Sequence, residues 1–205
     1  MATVYDLKPR FQKLLHPAVG FFILIGFTPN TVTLIALFGS MLVSLLVVLA
    51  GGDAKWLLLL PIWLFVRMAF NAIDGMMARE FNLSSSLGGM LNELGDVLSD
   101  LVLYLPLALI DKTSALAIVL FSIGAVLTEF AGVLGQAMGA KRHYEGPMGK
   151  SDRAFFVGAL ILLTVIFPYL VHFWAWAFYA ALVLMILTCK NRALNALKEI
   201  QKEGA

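Results

Sequence analysis

Apolar residues arrive in long runs along this chain, broken at intervals by short clusters of Gly, Pro, Asn and charged residues. A helix needs about 20 predominantly apolar residues to cross hydrocarbon. The pattern predicts spans at about 31–50, 55–78, 86–110, 114–139, 153–172 and 174–190. The expected fold is therefore an all-α polytopic membrane protein with six transmembrane helices, in a single domain covering residues 1–205. Ahead of the first span, residues 4–15 alternate Tyr5, Leu7, Phe11, Leu14 and Leu15 with Lys8, Arg10 and Lys13. This is a short basic amphipathic segment suited to lying in the headgroup layer, interrupted by Pro9. The turn "TPNTVT", Thr28 to Thr33, leads into the first span, where Asn30 or Thr31 can cap the exposed N–H groups. No small-residue cleavage site follows a short apolar core near the N-terminus, so that segment reads as retained. No internal repeat or low-complexity linker divides the chain.

Composition agrees with the pattern. Hydrophobic residues make up 60% and charged residues 14%, with a mean hydropathy of +0.88, whereas soluble domains are about half apolar and a quarter charged. A net charge of +2 gives no footing for nucleic acid. Placement of the charges says more than their sum. With both termini on one side, Lys8, Arg10, Lys13, Arg79, Lys141, Arg142, Lys150, Arg153, Lys190, Arg192, Lys198 and Lys202 fall on that side, against Lys55 and Lys112 on the other. Positive charge marks the cytoplasmic face of an inner (plasma) membrane. The single Cys189 can form no intrachain disulfide and reads as ordinary packing.

One stretch breaks the apolar texture: "NAIDGMMAREFNLSSSLGGMLNELGD", residues 71–96, on the cytoplasmic end of spans two and three. Asn71 and Asp74 are three apart and Asn92 and Asp96 four apart, so each pair projects from one face of its helix. Across a helical hairpin the pairs present four oxygen-bearing side chains to one point. Hard divalent cations take such ligands, and Mg²⁺ is usually held by one or two carboxylates plus substrate phosphates. Gly75, Gly88 and Gly89 leave room for a ligand to approach backbone. Helix-packing polarity accounts for the glycines, Ala78 and Ser84 to Ser86. It does not account for Asp74 and Asp96, because acids within a membrane are costly and mark function.

These residues resemble the signature of the CDP-alcohol phosphotransferase (CDP-alcohol phosphatidyltransferase) family, D-x2-D-G-x2-A-R-x8-G-x3-D-x3-D. The same spacing here reads Asn71-x2-Asp74-Gly75-x2-Ala78-Arg79-x8-Gly88-x3-Asn92-x3-Asp96, with Asn at the first and third acidic positions. The "TPN" entrance, six helices and an N-terminal amphipathic helix extend the likeness over most of the chain. The resemblance implies transfer of a substituted phosphate, usually phosphatidyl from CDP-diacylglycerol or a related CDP-alcohol, to the hydroxyl of a small polar alcohol acceptor, with release of CMP, in phospholipid synthesis. It implies Mg²⁺ or Mn²⁺ as cofactor and a homodimer. Carried over residue by residue, it makes Asn71, Asp74, Asn92 and Asp96 metal ligands, Asp96 also the base, and Gly75, Ala78, Arg79 and Gly88 the shape of the cytidine pocket. "GPMGKSDR", Gly146 to Arg153, resembles the entrance to the fifth helix in some members, where basic residues such as Lys150 and Arg153 hold phosphate. The alternative for those two is positive-inside topology and attraction to anionic membrane lipids.

The departures weaken the implied metal site. Asn71 and Asn92 each offer a carbonyl oxygen but no charge, and ligand charge sets divalent-ion affinity. A single-metal site follows, or a catalytically silent paralogue that binds lipid or nucleotide as a scaffold. Glu93 points about 100° round the helix from Asn92 and is at best a partial substitute. Asp100 either extends the acidic line or makes a polar contact to a neighbouring helix. Arg67 pairs with Asp74 or reaches a lipid phosphate, and Glu129 meets a basic residue or joins the site. His16, His143 and His172 have no metal-binding spacing. Trp56, Trp63, Trp174 and Trp176 read as an interfacial belt. A small transporter would need related halves or broken helices, and no P-loop, Rossmann or nucleophile-elbow pattern is present.

Overall fold

The computed structural model describes residues 8–203, with side chains from Phe11 to Lys202. They form helices joined by short turns and, between residues 137 and 150, by a longer non-helical segment, with no strand among the described residues. The elements are α1 (Lys8–Leu24), α2 (Pro29–Leu49), α3 (Ala54–Leu57), α4 (Leu59–Glu80), α5 (Ser86–Tyr104), α6 (Leu107–Ile110), α7 (Ala115–Ala137), α8 (Lys150–Ile166), a 3-10 helix (Pro168–Phe173) and α9 (Trp174–Glu203). Among the described residues, four helical segments are long and apolar enough to cross a membrane: Pro29–Leu49, Ala54–Glu80, Ala115–Ala137 and Pro168–Lys202. The molecule is a multi-pass membrane protein.

The expected spans at 86–110 and 153–172 are shorter helices. α5 carries Glu93, Asp96 and Asp100 and stops at Tyr104, where Pro106 removes a donor and α6 restarts the helix. α8 has 17 residues and gives way to the 3-10 helix at Pro168. The last expected span, 174–190, instead continues to Glu203 as a 30-residue helix whose final turns are polar. Of the amphipathic segment at 4–15, residues 4–7 lie outside the described residues. From Lys8 on the chain is helical through Pro9, which falls in the first turn, where its missing N–H costs nothing. Leu15, Ala18, Val19, Phe22 and Ile23 of α1 pack with Ile73, Met76 and Met77 of α4. The cap of α2 is Thr28, whose side chain accepts from the Thr31 N–H at 3.2 Å, with Pro29 at the first helical position.

Successive long helices run up and down, so one end of the bundle collects the start of α2, the end of α4, the start of α5, the end of α7 and the start of α8. The opposite end is a dry core around Tyr104, Phe121, Phe156, Trp174 and Phe178. Edge-to-face contacts join Phe121 to Tyr104 (5.4 Å) and to Phe178 (5.0 Å). Trp174 belongs to this core, buried with its indole N–H on Thr164 Oγ1 at 2.8 Å, and Trp63 donates to Ser40 Oγ at 2.9 Å. Only Trp56 and Trp176 of the expected belt are exposed. Gly39 makes the α2–α4 contact possible, because a Cβ there would lie 2.2 Å from the Trp63 ring.

Candidate functional site

α4 and α5 form the predicted hairpin. Ser85 caps α5 by accepting from the Gly88 N–H at 3.0 Å. The left-handed Asn82 (φ 55) turns the chain between the helices, a conformation Asn tolerates better than most side chains. The hairpin brings the four signature side chains together in crossed pairs. Asn71 Nδ2 donates to Asp96 Oδ1 at 2.9 Å, and Asn92 Nδ2 donates to Asp74 Oδ2 at 3.2 Å. Thr33 of α2 also donates to Asp74 Oδ2, at 2.8 Å. The other carboxylate oxygen of Asp74, Oδ1, is buried and has no hydrogen-bond partner.

Asp96 is more fully engaged. Arg67 donates to its Oδ1 (3.3 Å) and to its backbone carbonyl (2.9 Å), and Lys150 from α8 donates to its Oδ2. Arg67 therefore pairs with Asp96 and with Asp100 (2.5 Å), not with Asp74. From there a chain of buried ion pairs runs across the bundle. Arg153 joins Asp100 (2.8 Å) to Glu129 (3.0 Å), and Glu129 meets Arg142 (3.0 Å) and Arg192 (3.5 Å). Arg142 then grips Glu93 with two donors, Nε to Oε1 at 2.9 Å and Nη2 to Oε2 at 2.8 Å. Both Asp100 and Glu129 thus meet basic residues, and Arg153, fully buried, faces carboxylates and the Thr128 hydroxyl.

A cavity of about 1250 Å³ opens along this chain, lined by residues of α4, α5, α8 and α9, by Phe11 of α1 and Glu129 of α7, and by the 142–149 segment. Asn71, Asn92, Asp96, Lys150, Arg67 and Arg142 reach it. Asp74, Gly75, Ala78, Arg79, Gly88 and Arg153 do not line it. Arg79 folds its guanidinium back over Gly75, and the side chain of Asn30 fills the space a Cβ on Gly88 would need. The "TPN" turn and the signature thus touch each other. Next to Arg142 in the chain, His143 lies between Glu145 (2.8 Å) and Glu199 (3.1 Å). Burial works against the Glu145 carboxylate, but Asn195, its own backbone and His143 hold its pKa below the ordinary value. Burial likewise works against the Arg142 guanidinium, and Glu93 and Glu129 outweigh it, raising its pKa.

Sequence reading missed Thr33, Arg142 and Arg192 as members of this network. Thr33 carried one signal, its place in the turn next to the "TPN" entrance. Arg142 and Arg192 counted only as topology charges, because their partners lie 49 and 63 residues away in Glu93 and Glu129. Among the described residues no three His, Cys, Asp or Glu side chains cluster as a metal cage. The orphan oxygen of Asp74 and the amide oxygens of Asn71 and Asn92 still suit one hard cation, since Mg²⁺-like ions need few protein ligands when substrate phosphates complete the shell.

Fold and site together define a polytopic membrane protein with a polar catalytic-type constellation at one end of its bundle. The model of the family described as CDP-alcohol phosphatidyltransferase matches residues 26–187. The inner membrane protein YnbA of Escherichia coli (strain K12) is 43% identical over 195 residues, 95% of this chain and 96% of its own. The chain belongs to the CDP-alcohol phosphatidyltransferase family. An uncharacterized protein of Aquifex aeolicus is 36% identical over 94 residues, 46% of this chain and 45% of its own. The fold is that of the Mycobacterium tuberculosis phosphatidylinositol phosphate synthase PgsA1. Its structure with CDP-DAG bound has a TM-score of 0.73 at 19% identity, covering 92% of this chain and 94% of that one. Its complex with manganese and citrate has a TM-score of 0.74 at 19% identity, covering 88% of each chain.

Proposed function

We propose that this protein transfers the phosphatidyl group of CDP-diacylglycerol to the hydroxyl of a small polar alcohol, releasing CMP, in phospholipid synthesis. The observation that carries the reading is the crossed arrangement of Asn71, Asp74, Asn92 and Asp96 beside Lys150, with Asn71, Asn92 and Asp96 lining a cavity large enough for a headgroup. In the reaction the acceptor oxygen bonds to the phosphatidyl phosphorus, the bond from that phosphorus to CMP breaks, and CMP leaves with the electron pair. Asp96 takes the hydroxyl proton. Arg67 orients it through both its backbone and its side chain. Lys150 stands over Asp96 as a point charge for phosphate oxygens, and Arg153 acts through Asp100 and Glu129 rather than by touching substrate. Gly75, Ala78, Arg79 and Gly88 form the cytidine side of the site. Asp74 and the amide oxygens of Asn71 and Asn92 would hold a divalent cation, Mg²⁺ or Mn²⁺, which when bound would stabilise the charge developing on the phosphoryl oxygens. The manganese in the PgsA1 complex supports this choice.

The same reading takes residues 1–205 as one domain with six membrane crossings, both termini and the site on the cytoplasmic side of the inner membrane, and a homodimer as the assembled form. A silent paralogue that binds nucleotide without turnover is the second reading, favoured by the two amides at 71 and 92 and by the engagement of Asp96 with Lys150. Purified protein with CDP-diacylglycerol, a panel of alcohols and Mn²⁺ separates the two. Acceptor-dependent CMP release, abolished by Asp74→Asn and by Asp96→Asn in folded protein, is the expected result. Nucleotide binding with no release under any acceptor favours the silent paralogue.

A further inference from the structure

The half of the cavity away from Asp74 is strongly charged and internally balanced. Arg142 has its fork filled by Glu93, and its Nη2 also reaches Glu129. Arg192 faces Glu129 and spends its remaining donors on the carbonyls of Thr128, Tyr144 (3.0 Å) and Glu145 (3.2 Å). Arg67 and Lys150 both meet Asp96. Among the described residues, every cationic group on the wall therefore already has a carboxylate partner, while Glu145 and Asp152 add further negative charge to the lining. Between these groups the uncharged amides of Asn191 and Asn195 also face the space.

An anionic acceptor entering here gives up its hydration and finds, among the described residues, only cations that already face a carboxylate. It also meets the carboxylates of Glu93 and Glu129 at close range, a like-charge contact that selects against it. A hydroxyl has no such cost, since it donates to a carboxylate and accepts from a guanidinium or amide N–H without adding charge. Glu93 is the one member of the network that decides the matter. It sits half-exposed in the wall and occupies the donors of Arg142 that otherwise form a bidentate seat for phosphate. Gly132 supports the arrangement, because a Cβ there would lie 1.5 Å from Arg142 Nη1.

We propose that the acceptor is an uncharged polyol and that Glu93, by filling the fork of Arg142, excludes phosphorylated alcohols. The proposal rests on the phosphatidyl-transfer reading and names its acceptor class. The bond changes are the same for either acceptor: the hydroxyl oxygen joins phosphorus, CMP leaves with the electron pair, and the proton goes to the base.

The full chain in nanodiscs, with CDP-diacylglycerol and Mn²⁺, is given glycerol, glycerol 3-phosphate, inositol and inositol 1-phosphate as separate probes. CMP release and the mass of the lipid product are read. Equilibrium dialysis of the same labelled probes with CMP and Mn²⁺ reads acceptor preference without turnover. At least one polyol is expected to exceed its phosphate ester by about tenfold or more in kcat/KM and in affinity. Glu93→Gln is expected to narrow that ratio by about tenfold through a lower KM for the ester, and Glu93→Asp to restore it. A structural role for Glu93 alone lowers abundance without moving the ratio. A wild-type protein that treats ester and polyol alike, or prefers the ester, in the dialysis overturns the proposal. CMP release from no probe together with a polyol preference in dialysis sinks the transfer reaction and leaves the acceptor assignment standing.

Discussion

Lys150 and Arg153 lie one turn apart on α8 and carry the same charge, yet their surroundings give them different work. Lys150 has a third of its side chain open to the cavity, whereas Arg153 is sealed between Asp100, Glu129 and Thr128. Removing one partner from a buried ion pair leaves uncompensated charge and costs about 3–5 kcal/mol, although an apolar side chain recovers some packing. Arg153→Met is therefore expected to lower unfolding stability in detergent by about 3 kcal/mol, softened by the contacts of Asp100 and Glu129 to Arg67, Arg142 and Arg192. Lys150→Ala is expected to weaken CDP-diacylglycerol binding about tenfold at nearly unchanged stability. Equal losses of binding and stability in both variants would remove the distinction. The resemblance of "GPMGKSDR" to a helix entrance in some family members singled out both residues, but could not tell them apart. That difference arises from carboxylates contributed by α5 and α7, 24 to 54 positions away.

Among the helices, the apolar runs located the long elements to within a few residues for α2, α4 and α7, where hydrophobicity is dense and the ends are marked by Gly, Pro or charge. Where a helix serves the polar site, the elements depart from those runs. α5 gives up apolar length to its three acids, and α9 outlasts its apolar run because Arg192 turns inward to the Glu129 network and Asn195 to Glu145. The signature itself was legible because its residues repeat at helical spacing within one hairpin. The ion-pair chain was not, because periodicity carries no information on which distant charge answers which. The up-and-down order has a direct consequence for topology. Lys55 stands before α4 at one end of the bundle and Lys141 beyond α7 at the other, both exposed. Cysteines at these two positions, Lys55→Cys and Lys141→Cys, are expected to react with an impermeant thiol reagent from opposite sides of the membrane. Labelling of both from one side would refute the six-crossing arrangement.

For the molecule as a whole, the polar end is built to stand without added charge. Each signature carboxylate receives an amide N–H from the opposite helix, at 2.9 and 3.2 Å, and Asp96 is held by Arg67 and Lys150 besides. Converting both amides to carboxylates replaces those donors with negative oxygens at the same positions, and like charges that close cannot all remain ionised without a cation between them. Asn71→Asp combined with Asn92→Asp is therefore expected to lower thermal stability in the presence of a chelator. The same change adds two charged ligands to the neighbourhood of the orphan Asp74 oxygen, so divalent ions should bind more tightly. Both effects act in one direction on a single observable, the difference in Tm between Mn²⁺ and chelator. A ligand at 100 times its Kd stabilises by about 2.7 kcal/mol, and about 1 kcal/mol moves Tm by roughly 2–4 °C in a chain of this size. The double variant is expected to show a metal-dependent Tm difference at least about 5 °C larger than the wild type, whether or not its turnover rises. An unchanged difference means that no cation sits between these helices, and the function proposed for Asp74 then has no physical basis.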